Sequence, residues 1–191
     1  QILRRTCQQL KGWLQISDGG RFKISLNLSG KHLASREQIM ALVHIMEEEG
    51  VMPGYFIFEF NERELSRQSA DSLTSLHELR AKGLQISLDD FGTGFSSLNA
   101  LFHFPVDYIK VDDSFTHRML QSPKDLALIR AMRDICQDLD FTLVVEGIEN
   151  QQQLQKLIDM GCLMGQGRYI SPPMPGADIT PLLSQTKGER G

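Results

Sequence analysis

Cysteine is scarce in this sequence, long apolar runs are missing, and there is no excess of positive charge. The three cysteines, Cys7, Cys136 and Cys162, are odd in number and share no metal-like spacing, which argues against both a disulfide framework and a zinc site. A reducing, cytoplasmic setting is the expectation that follows. No stretch approaches the ~18 consecutive apolar residues of a membrane span, and no charged start leads into an apolar signal region. The formal net charge of -4 and pI near 5.7 lack the dense Lys and Arg field that grips long nucleic acid. An anionic ligand therefore needs a local device such as a metal ion. The five histidines, His32, His44, His77, His103 and His117, follow no HExxH-like spacing and read as structural or exposed. Internal repeats and low-complexity segments are also absent.

What is present is a single alternation. The 191 residues, 41% hydrophobic, suffice for one domain with a substantial core. From Phe22 onward, short β-branched apolar runs alternate with longer amphipathic stretches, the pattern of βα units around a parallel sheet. Six strands are expected: Phe22 to Leu28, Tyr55 to Phe60, Leu84 to Leu88, Tyr108 to Val111, Phe141 to Val145, and a short one near Leu163 to Gln166. Gly50, Gly83 and Gly161 are expected to close helices that start near Arg36, Ser69 and Asn150. The stretch Lys124 to Leu139 carries Leu126, Ile129, Met132, Ile135 and Cys136 at helical spacing. A last helix is expected after Pro175. Residues 1–186 form one domain in this reading and residues 187–191 a disordered tail. Six units without a break suggest a barrel, but a (βα)8 barrel typically needs ~250 residues. Because Gln1 to Leu10 already reads as the middle of a helix, an upstream segment is expected.

Polar residues collect where the strands end. Asn27, Glu59, Asp89 with Asp90, Lys110 with Asp112, and Glu146 each close an apolar run. In a parallel barrel the carboxyl ends share the face on which active sites are built. Carboxylates brought together repel one another unless a cation compensates. An all-oxygen set beside one lysine suits Mg²⁺ or Mn²⁺ and not zinc or copper. Adjacent Asp89 and Asp90 could serve two ions, a recurrent device in phosphodiester hydrolysis.

The run Asp89-Asp90-Phe91-Gly92-Thr93-Gly94 resembles the DDFGTG loop of EAL domains, the bacterial phosphodiesterases specific for cyclic di-GMP. Asn27-Leu28-Ser29, Glu59-Phe60-Asn61-Glu62, Pro105 to Asp112, Val145 to Glu149, and Gly161-Cys162 with Gln166-Gly167 resemble further motifs of that family, in the same order. The resemblance implies an α/β fold, a (βα)8-type TIM-like barrel incomplete at its N-terminus, with the Glu-x-Leu strand preceding Gln1. It assigns Asn27, Glu59 and Asp89 to one metal ion and Asp89, Asp90 and Glu146 to a second, Mg²⁺ or Mn²⁺. It makes Lys110 and Glu149 catalytic, Lys110 by orienting or deprotonating the attacking water. Glu62 and Asp112 brace the site, and Gln166 and Arg168 touch the substrate. Three positions depart from the family: Asn61 replaces Thr, Arg168 stands where an aromatic is usual, and Pro172-Pro173 replaces a basic residue before Pro.

The activity implied is hydrolysis of cyclic di-GMP to linear pGpG in the complete domain. The alternative is a non-catalytic module that binds cyclic di-GMP or a partner protein. Further implied partners are a second copy in a homodimer and an upstream sensory or GGDEF domain, with anchorage of the parent to a membrane through a preceding region left open. These residues alone are expected to be nearly inactive and prone to self-association.

Overall fold

The computed structural model describes residues 1–17, 22–33, 35–65, 70–93, 101 and 104–185. A long helix α1 (Ile2–Ile16) precedes strand β1 (Ile24–Asn27) and helix α2 (Arg36–Glu48). Then come β2 (Phe56–Asn61), the single turn α3 (Glu62–Leu65), α4 (Ala70–Ala81), β3 (Gln85–Phe91), β4 (Tyr108–Val111), α5 (Asp113–Arg118), α6 (Pro123–Asp138), β5 (Thr142–Val145), α7 (Gln151–Asp159), β6 (Met164–Gly165) and α8 (Gly176–Gln185). The tail expected at 187–191 lies outside the described residues.

Among the described residues the six strands are all parallel, and their order in the sheet is β1-β2-β3-β4-β5-β6. Each strand thus pairs with its neighbour in sequence, as a barrel requires. A doubly wound sheet would reverse its strand order at a switch point. The expected α/β class and TIM-like architecture are therefore those observed, as a curled parallel sheet wrapped by helices.

The strand register sorts side chains onto two faces, since successive residues point to opposite sides. Phe56, Phe58 and Phe60, with Ile86, Leu88, Ile109, Val111 and Val145, are fully buried on one side and form the helix-facing core. The other face carries Asn27, Glu59 and Ser87 in one paired layer, and Asn61 opposite Asp89 in the next. Helix boundaries follow local chemistry. Ser35 caps α2 and Ser122 caps α6, each accepting a backbone N–H bond. Gly50, Gly83 and Gly161 end their helices with φ of 67°, 91° and 79°, a left-handed conformation that only glycine adopts without Cβ strain. The last helix α8 packs on α1, where the Trp13 indole N–H donates to Thr180 Oγ1 at 3.1 Å.

Two strands run further than the sequence suggested. β2 reaches Asn61, one residue past the expected end at Phe60, and β3 runs to Phe91, so that Asp89 and Asp90 lie within it and not after the expected end at Leu88. The ladder continues through Asn61↔Asp89 and shifts register between Leu88 and Phe91, so these acidic groups are strand residues near the carboxyl ends. Apolar content marked the buried length of each strand, whereas backbone pairing persists into the polar residues. The cysteines are free thiols, and burial, with Cys162 nearby, pushes the Cys136 thiol up to about 12.

The helix-facing layer sets stability. Phe58→Ala removes a fully buried ring and is expected to cost about 3–5 kcal/mol, read from urea denaturation. A loss below about 1 kcal/mol would mean that the ring is not packed as described.

Candidate active site

At the carboxyl end of the sheet one lysine is surrounded by acids from three other elements. Lys110 of β4 is 6% exposed. Its ammonium lies 2.7 Å from Glu146 Oε1, 3.1 Å from Glu59 Oε2 and 3.4 Å from Asp89 Oδ1. Glu59 comes from β2, Asp89 from β3, and Glu146 directly follows β5. The parity of the strands makes this meeting possible. Residues up to 87 positions apart in sequence (59 to 146) share one face because Glu59, Asp89 and Lys110 lie on the inward register of their strands and Glu146 continues that of β5.

The charges do not balance. Three carboxylates against one ammonium leave two negative charges in excess, and Asp90 stands beside them. Burial alone would lower the Lys110 pKa, but the Glu146 hydrogen bond and the charges of Glu146, Glu59 and Asp89 outweigh it and hold the ammonium above the ordinary lysine range. Burial pushes the Glu146 carboxyl up, and repulsion from Asp89 and Glu59 adds to it against the pull of Lys110. Asp90 is likewise pushed up, by burial first and then by Asp89.

Asp90 is held in an uncommon backbone conformation, with φ of 55°, one that Asp tolerates better than most residues. The Asn61 side-chain amide donates to its Oδ2 at 2.5 Å. Asn61 was not among the predicted site residues. Its position two residues beyond Glu59, on the same face of β2, was the signal that could have identified it.

The remaining candidates surround this cluster at varying distance. Asn27 ends β1 in register with Glu59 and is exposed. Gln166 and Arg168 are exposed beyond β6. The Gln166 backbone ties the segment down: its N–H donates to Val145 O at 2.9 Å and its carbonyl accepts from Ile148 N at 3.1 Å. Asp112 caps α5, its Oδ1 accepting from Ser114 N at 3.0 Å. Glu149 is not among the ligands of Lys110. Its carboxylate is half exposed and meets His117 Nε2 at 3.5 Å, a partner that histidine spacing in the sequence did not reveal. The side chain of Glu62 lies outside the described residues, as does Gly94 of the Phe91 to Gly94 loop.

The donor set can be tested for a metal ion. Among the described residues no three acidic, thiol or imidazole side chains are gathered as a ready chelate, and the Lys110 ammonium sits between the carboxylates. Two features nonetheless fit a hard divalent cation. The donors are oxygens carrying excess negative charge. Asp89 Oδ1 is also buried without a hydrogen-bond partner among the described residues, its Lys110 contact being an ion pair only, and Ser87 Oγ on the same strand face is orphaned too.

The match of the EAL domain family model runs over residues 1–173. The chain belongs to the EAL domain family. It is 35% identical over 157 residues to the cyclic di-GMP phosphodiesterase RocR of Pseudomonas aeruginosa, covering 82% of this chain and 40% of that protein. It superposes on the PaMucR phosphodiesterase in its c-di-GMP complex with a TM-score of 0.84 and 32% identity, covering 93% of this chain and 72% of the other. The Klebsiella pneumoniae BlrP1 complex with manganese and cyclic di-GMP aligns with a TM-score of 0.73 and 26% identity, over 86% of this chain and 43% of that one. The chain spans less than half the length of curated relatives such as RocR. Among the described residues, no helix is long and apolar enough to cross a membrane.

Lys110→Met removes the ammonium while the carboxylates stay buried. Without added metal the variant is expected to lose about 3–5 kcal/mol, the scale of leaving buried charge unpaired. Millimolar Mg²⁺ or Mn²⁺ is expected to restore most of that loss. Thermal melts with and without the ions check this, and a variant as stable as the wild type in their absence contradicts the description of the cluster.

Proposed function

We propose that this domain hydrolyses one phosphodiester of cyclic di-GMP to give linear pGpG, with two divalent ions, Mg²⁺ or Mn²⁺, bound at the Lys110 cluster. The observation that carries the reading is the convergence of Glu59, Asp89 and Glu146 on Lys110 at the carboxyl end of a parallel sheet, in a member of a family whose named relatives are cyclic di-GMP phosphodiesterases. Asn27, Glu59 and Asp89 would hold one ion and Asp89, Asp90 and Glu146 the other. Such ions supply a hydroxide near neutral pH and neutralise charge on the phosphoryl oxygens.

The protein's own groups have separable tasks. Water attacks phosphorus, the bond from phosphorus to the 3′ oxygen breaks, and that oxygen leaves with a proton. Three carboxylates favour the charged form of Lys110, which supports a role as donor that orients the water and not as base. Asn61, by holding one oxygen of Asp90, directs the other. Arg168, exposed beyond β6, supplies a cation for a phosphate or a base. A place within a larger protein with a sensory or cyclase domain accords with MucR, which is named as a bifunctional diguanylate cyclase and cyclic di-GMP phosphodiesterase.

The test is a hydrolysis assay on the full-length protein with Mg²⁺ and with Mn²⁺. Asp89→Asn is expected to abolish turnover while the fold persists, because this carboxylate is assigned to both ions. Lys110→Met is expected to keep metal uptake and lose ~10²-fold or more in kcat. Retained hydrolysis in Asp89→Asn at ordinary Mg²⁺ would sink the two-ion assignment. Tight cyclic di-GMP binding by the wild type without turnover would make the domain a binding module instead.

A further inference from the structure

The segment that carries Glu146 and Glu149 is fastened by a residue that takes no part in the reaction proposed above. Gln153, at the third position of α7, is 3% exposed. Its Oε1 accepts from the backbone N–H of Glu149 at 2.8 Å and of Asn150 at 3.2 Å, while the Asn150 side chain accepts from Gln153 N at 3.0 Å. That reciprocal pair is a capping box, sufficient in itself to start the helix. A capping box does not use the amide nitrogen, yet Gln153 Nε2 donates to the backbone carbonyl of Thr116, 3.0 Å away and 37 residues distant in sequence.

Thr116 belongs to α5, which begins three residues after Lys110. The bond therefore joins the loop bearing Glu146 to the unit bearing Lys110, the two partners of the 2.7 Å contact. The surfaces around it leave little room for adjustment. Gly147 has φ of 73°, and a Cβ placed there would lie 2.5 Å from Asp113 Cβ and 3.0 Å from Asp113 Cα, so the loop packs closely on the start of α5. A Cβ at Gly167 would lie 2.1 Å from Ile148 O. The loop thus packs closely on both α5 and the 165–167 segment, and Gln153 supplies the polar tie across the first of these contacts.

We propose that Gln153 is a positioning residue for the proposed reaction: through the Thr116 carbonyl it seats the Glu146 to Glu149 loop on α5 and so fixes Glu146 relative to Lys110 and the divalent ion. This positioning role rests on the reading of the site as a divalent-ion phosphodiesterase centre. Supporting groups behind a ligand carry effects of ~10- to 100-fold in metal affinity or activity when removed.

Q153E separates the two functions of the residue. Ionised glutamate retains the capping box and has no donor for Thr116 O, so the variant is measured at a pH well above the titration of its carboxyl. In the full-length protein, Q153E is expected to keep its helical content, to bind Mn²⁺ about tenfold more weakly by calorimetry, and to lose about tenfold in kcat, with KM for cyclic di-GMP within about twofold. N150A, which weakens the cap and leaves the Thr116 bond, is expected to lower the melting temperature without changing Mn²⁺ affinity. Wild-type affinity and kcat in Q153E overturn the proposal, and so does an equal loss of affinity in N150A. If Q153E does not fold, the wild-type side-chain amide protons of Gln153 decide by NMR: slow exchange and a shift on adding Mg²⁺ support the tie, and rapid exchange without a shift overturns it. A wild type that binds Mn²⁺ but leaves cyclic di-GMP intact overturns the proposed function, while the calorimetric comparison still judges Gln153.

Discussion

The buried Lys110 ammonium is the constraint on which the rest of this structure turns. Taking a charge out of water is costly, and a site with one partner too few would be unstable. Here the ammonium has three carboxylate partners, so the instability is transferred from the cation to the anions. In the proposed reading, that excess negative charge is what would draw divalent ions to the site and, through them, a phosphodiester. A neutral pair in the same place would be inert.

Holding Glu59, Asp89 and Lys110 on three strands, with Glu146 just past the end of a fourth, demands a rigid support. The opposite face of the sheet provides it, with three phenylalanines on alternate positions of β2 and β-branched or leucine side chains on its neighbours. Backbone pairing fixes the strand spacing, packing holds the sheet's curvature, and together they set the distances among the charged groups and so the local electrostatics. The layer that carries no chemistry is in this sense the determinant of the chemistry.

The connecting loops add the fine placement. Where β5 meets α7, small residues let backbone approach backbone: Gly147 touches Asp113, and Gly167 lies on Ile148. Side chains at those positions would push the Glu146 loop away from β4. Asn61 illustrates a departure from the family accommodated locally, since its amide reaches Asp90 where the family's usual Thr would offer a shorter hydroxyl.

The sequence by itself determined the elements and much of the chemistry. Six apolar runs became six strands, three glycines closed the helices they were expected to close, and the resemblance to EAL domains agreed with the family to which the chain belongs. These features are local, written in period, turn residues and motif order. Tertiary structure alone decided which acids meet. Asp112, one residue past β4, turned to cap a helix, and Glu149, three residues past Glu146, faces His117 and not Lys110. Sequence proximity could not separate Glu146 from Glu149. The direction of each side chain depends on strand register and loop path, which arise only when the sheet curls and the helices pack against it. The link from Gln153 to the Thr116 carbonyl was invisible for the same reason, because a backbone acceptor leaves no mark of its partner in the sequence.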